Sequence, residues 1–220
     1  MTGLAWLALA VTAAFALADW AAVAASRRGL EYVAKPAVMV GLIAVAIVLH
    51  PVDSTERTFF VVALAFGLIS DIFLMLPRDM FLLGLVAALV EHLAYIAGFN
   101  HRPLQAALVA VASVIALVSV AVVLPPVIRA LRKKQPGLVW PVVAYVTVIT
   151  AMGWQAAARA VAPLTPEPSG THALAGALLF MTSDALLAFD RFIRPFRVAD
   201  AAVMATYYTA QALIALSTMG

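Results

Sequence analysis

Two carboxylates stand where carboxylates are rare. Asp71 lies inside the apolar run from Phe59 to Leu76, in the stretch FGLISDIFLMLP. Asp184 lies in the later stretch FMTSDALLAF. Both follow a serine, and both sit in the pattern S-D-x-x-L. An ionisable group in a long apolar helix is costly and marks a functional position by default. Two in matching contexts suggest a pair. Paired carboxylates suit acid–base work, in which one group gives a proton and the other stays ionised. Such acids also serve proton relays and substrate paths in transporters. They can, finally, do no more than bind neighbouring helices.

Further polar groups lie within reach of hydrocarbon. Lys35 precedes Pro36 at the expected opening of a helix, where it either snorkels to the interface or binds a phosphate or carboxylate. Glu91 and Tyr95 are four apart and His92 and Tyr95 three apart, so each pair can share a helix face. Glu91 is expected to pair with His92 or to face lipid protonated. Asp19 is either an interfacial carboxylate beside Arg27 or Arg28, or a pocket residue. Gln211 needs partners in hydrocarbon, and Tyr207 or Tyr208 is spaced to turn inward with it. Asp200 stands near the start of the same segment and joins this binding set. Asp79 reads as a helix start residue, and Asp190 as solvent-facing or paired with a loop arginine. The chain has no cysteine, which excludes thiol catalysis, disulfides and thiolate metal sites. One histidine beside Glu91 is not a metal motif, and no metal or cofactor is expected.

The elements that must position these groups are membrane helices. The chain is 65% hydrophobic and 11% charged, against roughly 25% charged in soluble proteins. Its net charge of +3 is spread over short gaps between apolar runs, so nucleic acid is not an expected partner. Eight spans are expected, at 4–25, 33–49, 59–76, 80–98, 104–124, 138–158, 171–189 and 197–217. They form one all-α polytopic bundle over residues 1–220. The first span exceeds a signal-peptide core, and its charges follow it, so it is kept as a helix. Pro125-Pro126 is expected to end the fifth span. Pro163 to Gly170 reads as a turn-rich outer loop. Helices 3 and 7 each come third in a set of four and share S-D-x-x-L, which suggests a weak repeat of two four-helix halves. Both aspartates should then enter one cavity from the same side.

Several ordered motifs resemble one family. They are Lys35-Pro36, GLISDIFL at Gly67 to Leu74, and a glycine–histidine–tyrosine set at Gly84, His92 and Tyr95. SDALL at Ser183 to Leu187 and YYTAQALI at Tyr207 to Ile214 complete the series. Together the chain resembles the YhhN/TMEM86 family, the lysoplasmalogenases. Where that family commonly has glycine before the first aspartate, this chain has Ser70. The resemblance implies an eight-helix membrane hydrolase that cleaves the vinyl ether of a lysophospholipid. The products would be a fatty aldehyde and glycerophosphoethanolamine or glycerophosphocholine. It implies Asp71 and Asp184 as the catalytic pair, with Lys35 and His92 at the headgroup and no cofactor. A small lipid or solute transporter, or a binding protein, is the alternative.

The odd-numbered connections hold Arg27, Arg28, Lys35, Arg78, Arg129, Arg132, Lys133, Lys134, Arg191, Arg194 and Arg197, most of the chain's 14 basic residues. The positive-inside rule then puts those connections in the cytoplasm, and both termini outside, in a multi-pass protein of the cell inner membrane. Reporter fusions should read cytoplasmic near Lys133 and external at Gly220. A cytoplasmic C-terminus would overturn the orientation.

Overall fold

The computed structural model describes residues 2–101, 106–159 and 168–219. Eight α-helices account for most of them: α1 (Gly3–Ala24), α2 (Arg28–Val48), α3 (Ser54–Met75), α4 (Phe81–Phe99), α5 (Ala106–Lys134), α6 (Val139–Arg159), α7 (Pro168–Ala188) and α8 (Ala199–Leu216). A π-helical segment, Phe189–Ile193, extends α7. Among the described residues, seven helices, α1 to α7, are long and apolar enough to cross a membrane. The 18-residue α8 would measure about 27 Å. Its polar residues Tyr207, Tyr208 and Gln211 are buried inside the bundle. Helices are the expected solution, because hydrocarbon leaves backbone N–H and C=O groups no partner but each other.

The helix ends explain where the sequence reading erred. Helix α3 begins at Ser54 because Asp53 caps it, its Oδ1 accepting from the backbone N–H groups of Thr55 at 2.6 Å and Glu56 at 3.2 Å. Those N–H groups also hold the Asp53 carboxyl below its ordinary range. Helix α2 begins at Arg28, so Pro36 lies well inside it rather than in its first turn. Lys35 is therefore a helix-interior residue and leaves the tally of connection charges. Helix α5 does not stop at Pro125-Pro126 but runs on to Lys134. Proline removes an N–H and crowds the preceding turn, yet leaves the following turns able to form. Burial of Val127 and Leu131 holds those later turns in place. Helix α7 starts at Pro168, inside the segment read as a loop. Residues 163–167 of that segment, the expected start of the fifth span at 104, and the fusion point Gly220 lie outside the described residues.

Neighbouring helices pack in pairs, α1 with α2, α3 with α4, α5 with α6 and α7 with α8. The halves meet where α4 packs on α6 and where α8 packs on α1, α2 and α3. Phe60 stacks edge-on against Tyr95 and Phe99, and Phe180 edge-on against His92 and Tyr207. These rings fill the middle of the bundle. The most lipid-facing helix is α5, with Val111, Val114, Leu117, Val118 and Val122 all exposed.

Helix α7 lies tight against α8 at Gly176. A Cβ there would stand 2.9 Å from the Ala210 carbonyl oxygen and 3.1 Å from the Ile214 nitrogen. Backbone cannot move aside as a side chain can. Gly176→Ala should therefore destabilise the bundle by about 1–3 kcal/mol, in the range for overpacking. Gly137→Ala, where a Cβ meets nothing within 4 Å, should change little. Thermal unfolding in matched detergent checks the contrast.

Candidate functional site

All eight helices contribute to the wall of one cavity of about 260 Å³. Its wall runs along the C-terminal halves of α3 and α7 and the N-terminal halves of α2, α4, α6 and α8. That is the end of the bundle to which the odd-numbered connections belong. Asp71 and Asp184 both lie on this wall.

The sequence places each aspartate by the same device. Ser70 donates its hydroxyl to the Gly84 carbonyl at 2.9 Å, tying α3 to α4. Ser183 donates to the Val203 carbonyl at 3.0 Å, tying α7 to α8. Each serine thus fixes the rotation of its helix one residue before the carboxylate.

The partners of the two aspartates differ in charge. Lys35 Nζ lies 3.4 Å from Asp71 Oδ1, with side chains only 10% and 7% exposed. An ammonium so close compensates a carboxylate charge that hydrocarbon would otherwise penalise heavily. Lys35 does not snorkel to the interface. Asp71 Oδ2 makes no hydrogen bond among the described residues. Asp184 instead accepts a hydrogen bond from the neutral Tyr145 hydroxyl through Oδ2. Behind that oxygen stands His92, with Nε2 at 3.9 Å. His92 Nδ1 meets the Ala88 carbonyl at 2.5 Å. A carbonyl only accepts, so Nδ1 carries the proton, and in the neutral ring Nε2 is left with a lone pair facing Asp184. No cation comparable to Lys35 pairs with Asp184 among the described residues. Arg191, near it in sequence, is held 2.8 Å from Asp79 and lies over the Phe81 ring at 4.1 Å.

A buried amide network closes the inner wall. Gln211 donates through Nε2 to Glu91 Oε1, and accepts through Oε1 from the Tyr95 hydroxyl. Glu91 lies on the cavity wall. Its carboxylate fits beside α3 because residue 67 is glycine: a Cβ there would stand 2.5 Å from Glu91 Oε1. Glu91 pairs with neither His92 nor lipid. Asp19 is fully buried and accepts from the Tyr208 hydroxyl at 2.7 Å, far from an interfacial role beside Arg27 or Arg28.

The candidate residues therefore divide. Asp71, Asp184, Lys35, Glu91, Tyr207 and Asp200 share the cavity wall. His92, Tyr95, Tyr208, Gln211 and Asp19 stand behind it and support it. His92 has no exposed surface and lies off the cavity wall. Asp190 joins the wall and caps the chain after the π segment, accepting from the Phe196 N–H at 3.0 Å. Glu31 also lies on the wall, and sequence reasoning passed over it because a glutamate in the first turn of a helix is ordinary. Tyr145 lies on the wall as well, beside Asp184. Trp154 and Gln155 make interhelical contacts, bonding Ser113 and Asn100.

Comparison with known proteins gives a consistent family. Residues 30–218 match the model of the YhhN family. The chain is 34% identical over 157 residues to human lysoplasmalogenase TMEM86B, covering 71% of this chain and 62% of the relative. It is 34% identical over 176 residues to bovine lysoplasmalogenase TMEM86A, covering 77% and 67%. The mouse TMEM86B lysoplasmalogenase is 32% identical over 157 residues, covering 71% and 62%. The chain thus spans under two thirds of the length of most of these curated relatives. No solved structure matches it.

The buried ion pair makes a stability prediction. Lys35→Met leaves the Asp71 charge unpaired and should cost about 3–5 kcal/mol, the usual result of breaking such a pair. Adding Asp71→Asn should restore most of that loss by removing the orphaned charge. Unfolding of both variants in one detergent checks it; a double variant no more stable than the single would show the pair is not coupled.

Proposed function

The chain belongs to the YhhN family, and from that premise we propose that it is a lysoplasmalogenase-like hydrolase of lysolipid vinyl ethers. One observation carries the reading: two aspartates share a cavity wall, one beside an ammonium and the other beside neutral partners. Asp184 acts as the acid. It delivers a proton to the vinyl carbon remote from oxygen, which leaves an oxocarbenium ion. Asp71 stays ionised beside Lys35, stabilises that cation and takes a proton from the attacking water. The hemiacetal then collapses to a fatty aldehyde and a glycerophospho-alcohol. This division of labour parallels the two carboxylates of glycoside hydrolysis. That collapse restores both carboxyl groups, as the hemiacetal hydroxyl proton passes to Asp184 and the proton on Asp71 passes to the leaving alcohol oxygen. Lys35 serves Asp71 rather than the phosphate.

The bundle is read as eight spans in two similar halves. The matched serine bonds of α3 and α7 support this. So does the origin of each aspartate's partner, which is the second helix of its half: Lys35 for Asp71, Tyr145 for Asp184. Glu91 and Gln211, from the two fourth helices, meet each other. Catalytic asymmetry then arises from one difference between the halves, a lysine against a tyrosine. The basic end, where the cavity lies, faces the cytoplasm in this reading.

Asp71→Asn and Asp184→Asn should each insert and fold, yet lose about 10²–10⁴-fold in turnover or more. Mass spectrometry of aldehyde released from a lysoplasmalogen, with its saturated ether analogue as control, measures it. Lys35→Met should lower kcat rather than raise KM, the mark of a group that acts through the chemical step. Near-wild-type turnover by both folded aspartate variants would return the transporter or binding reading to first place.

A further inference from the structure

Between α5, α6 and α7 the cavity wall is formed by Ser119, Val123, Val146, Thr150, Met181 and Ala185. Ser119 stands about 22 Å of helix from Lys134, so this part of the wall reaches deep into the apolar thickness. Its polar groups are two hydroxyls, and the Ser119 hydroxyl is occupied by the Ile115 carbonyl of its own helix at 2.8 Å. The opposite end of the cavity carries Glu31, Lys35 and Asp200. The cavity is thus amphiphilic along its length.

Helix α5 forms an incomplete outer wall. It packs on α6 and on the π segment, where Lys134 Nζ donates to the Phe192 carbonyl at 2.9 Å, and among the described residues it makes no extended contact with α7. Beyond Pro125-Pro126 its upper half is largely lipid-exposed. The two prolines bring no N–H, so the carbonyls of residues 121 and 122 lack their helical donors. The upper half is therefore weakly tied to the anchored lower turns. Size points the same way. Pockets that enclose drug-sized ligands run from about 300 to 1,000 Å³, and at about 260 Å³ this cavity cannot enclose a long-chain lipid whole. Part of such a chain must lie outside it, in the bilayer.

We propose that the gap between α5 and α7 is a lateral portal that holds the hydrocarbon chain of a single-chain lipid, with its head at the Lys35–Asp200 end. The lipid enters from the bilayer, and its chain stays partly in it. This rests on the lysolipid reading of the same cavity. A saturated ether lysophospholipid with a diazirine at its chain terminus cannot be hydrolysed at a vinyl ether, and so reports position alone. Photolysis in lipid nanodiscs should label peptides of α5 around Ser119 and Val123 and of α7 around Met181. Ser119→Trp and Val123→Trp should each cut that labelling. Each should also lower kcat/KM for a long-chain vinyl ether on the order of tenfold, while a short-chain substrate stays within about twofold. Val122→Trp, at a neighbouring site 66% exposed and off the cavity wall, should change neither. Label confined to other helices in the wild-type protein overturns the portal, as does an equal loss on both chain lengths. Labelling at α5 with no aldehyde from any vinyl ether would instead overturn the hydrolase reading and leave the portal standing.

Discussion

Everything in the bundle answers to the demand that a charge in hydrocarbon have a partner. The Lys35–Asp71 pair meets it most directly. Both side chains are nearly sealed from solvent, and neither could stand alone there without a penalty of several kcal/mol. That pairing sets how α2 faces α3, and it draws a lysine beside a proline into a helix interior. The same demand produces the Glu91–Gln211–Tyr95 chain and the Asp19–Tyr208 bond. Polar residues in α8 hold that helix against α1 and α4 through such bonds, since lipid supplies no hydrophobic force to do so.

Once these demands are met, the proposed chemistry follows from a small imbalance. Ser70 and Ser183 hold their helices in equivalent ways, and both carboxylates reach one wall. In the proposed mechanism, a lysine beside one and a tyrosine hydroxyl beside the other separate an ionised role from a protonated one. Enzymes that use two carboxylates need such a separation, and environment rather than residue type supplies it. Arg191 would blur the difference if it reached Asp184, but Asp79 and the Phe81 ring engage it at the bundle end.

Class and site were legible in the chain because both signals are local. Length and hydropathy of each apolar run identify helices that cross a membrane, whatever their neighbours. A carboxylate inside such a run is conspicuous for the same reason, so Asp71, Asp184, Glu91 and Asp19 could be named from sequence. Helix ends were less legible. The Asp53 cap was present in the sequence as an aspartate three residues before Glu56, but an apolar count starts at Phe59 and misses it. Pro36 and Pro125-Pro126 were read as boundaries because proline ordinarily is one; packing of the turns beyond them decided otherwise.

Partnership was decided only by the tertiary structure. Tyr145 reaches Asp184 across 39 residues of chain, and Tyr95 reaches Gln211 across 116. In soluble proteins a polar face tells which side of a helix is outward, but these helices are apolar nearly all round, so periodicity carries little word on which face turns inward. The sequence by itself therefore determined that this is a helical membrane bundle with two marked aspartates. Which side chain would neutralise each of them, and which groups would form the cavity wall, depended on helix rotations that only packing and buried hydrogen bonds could set.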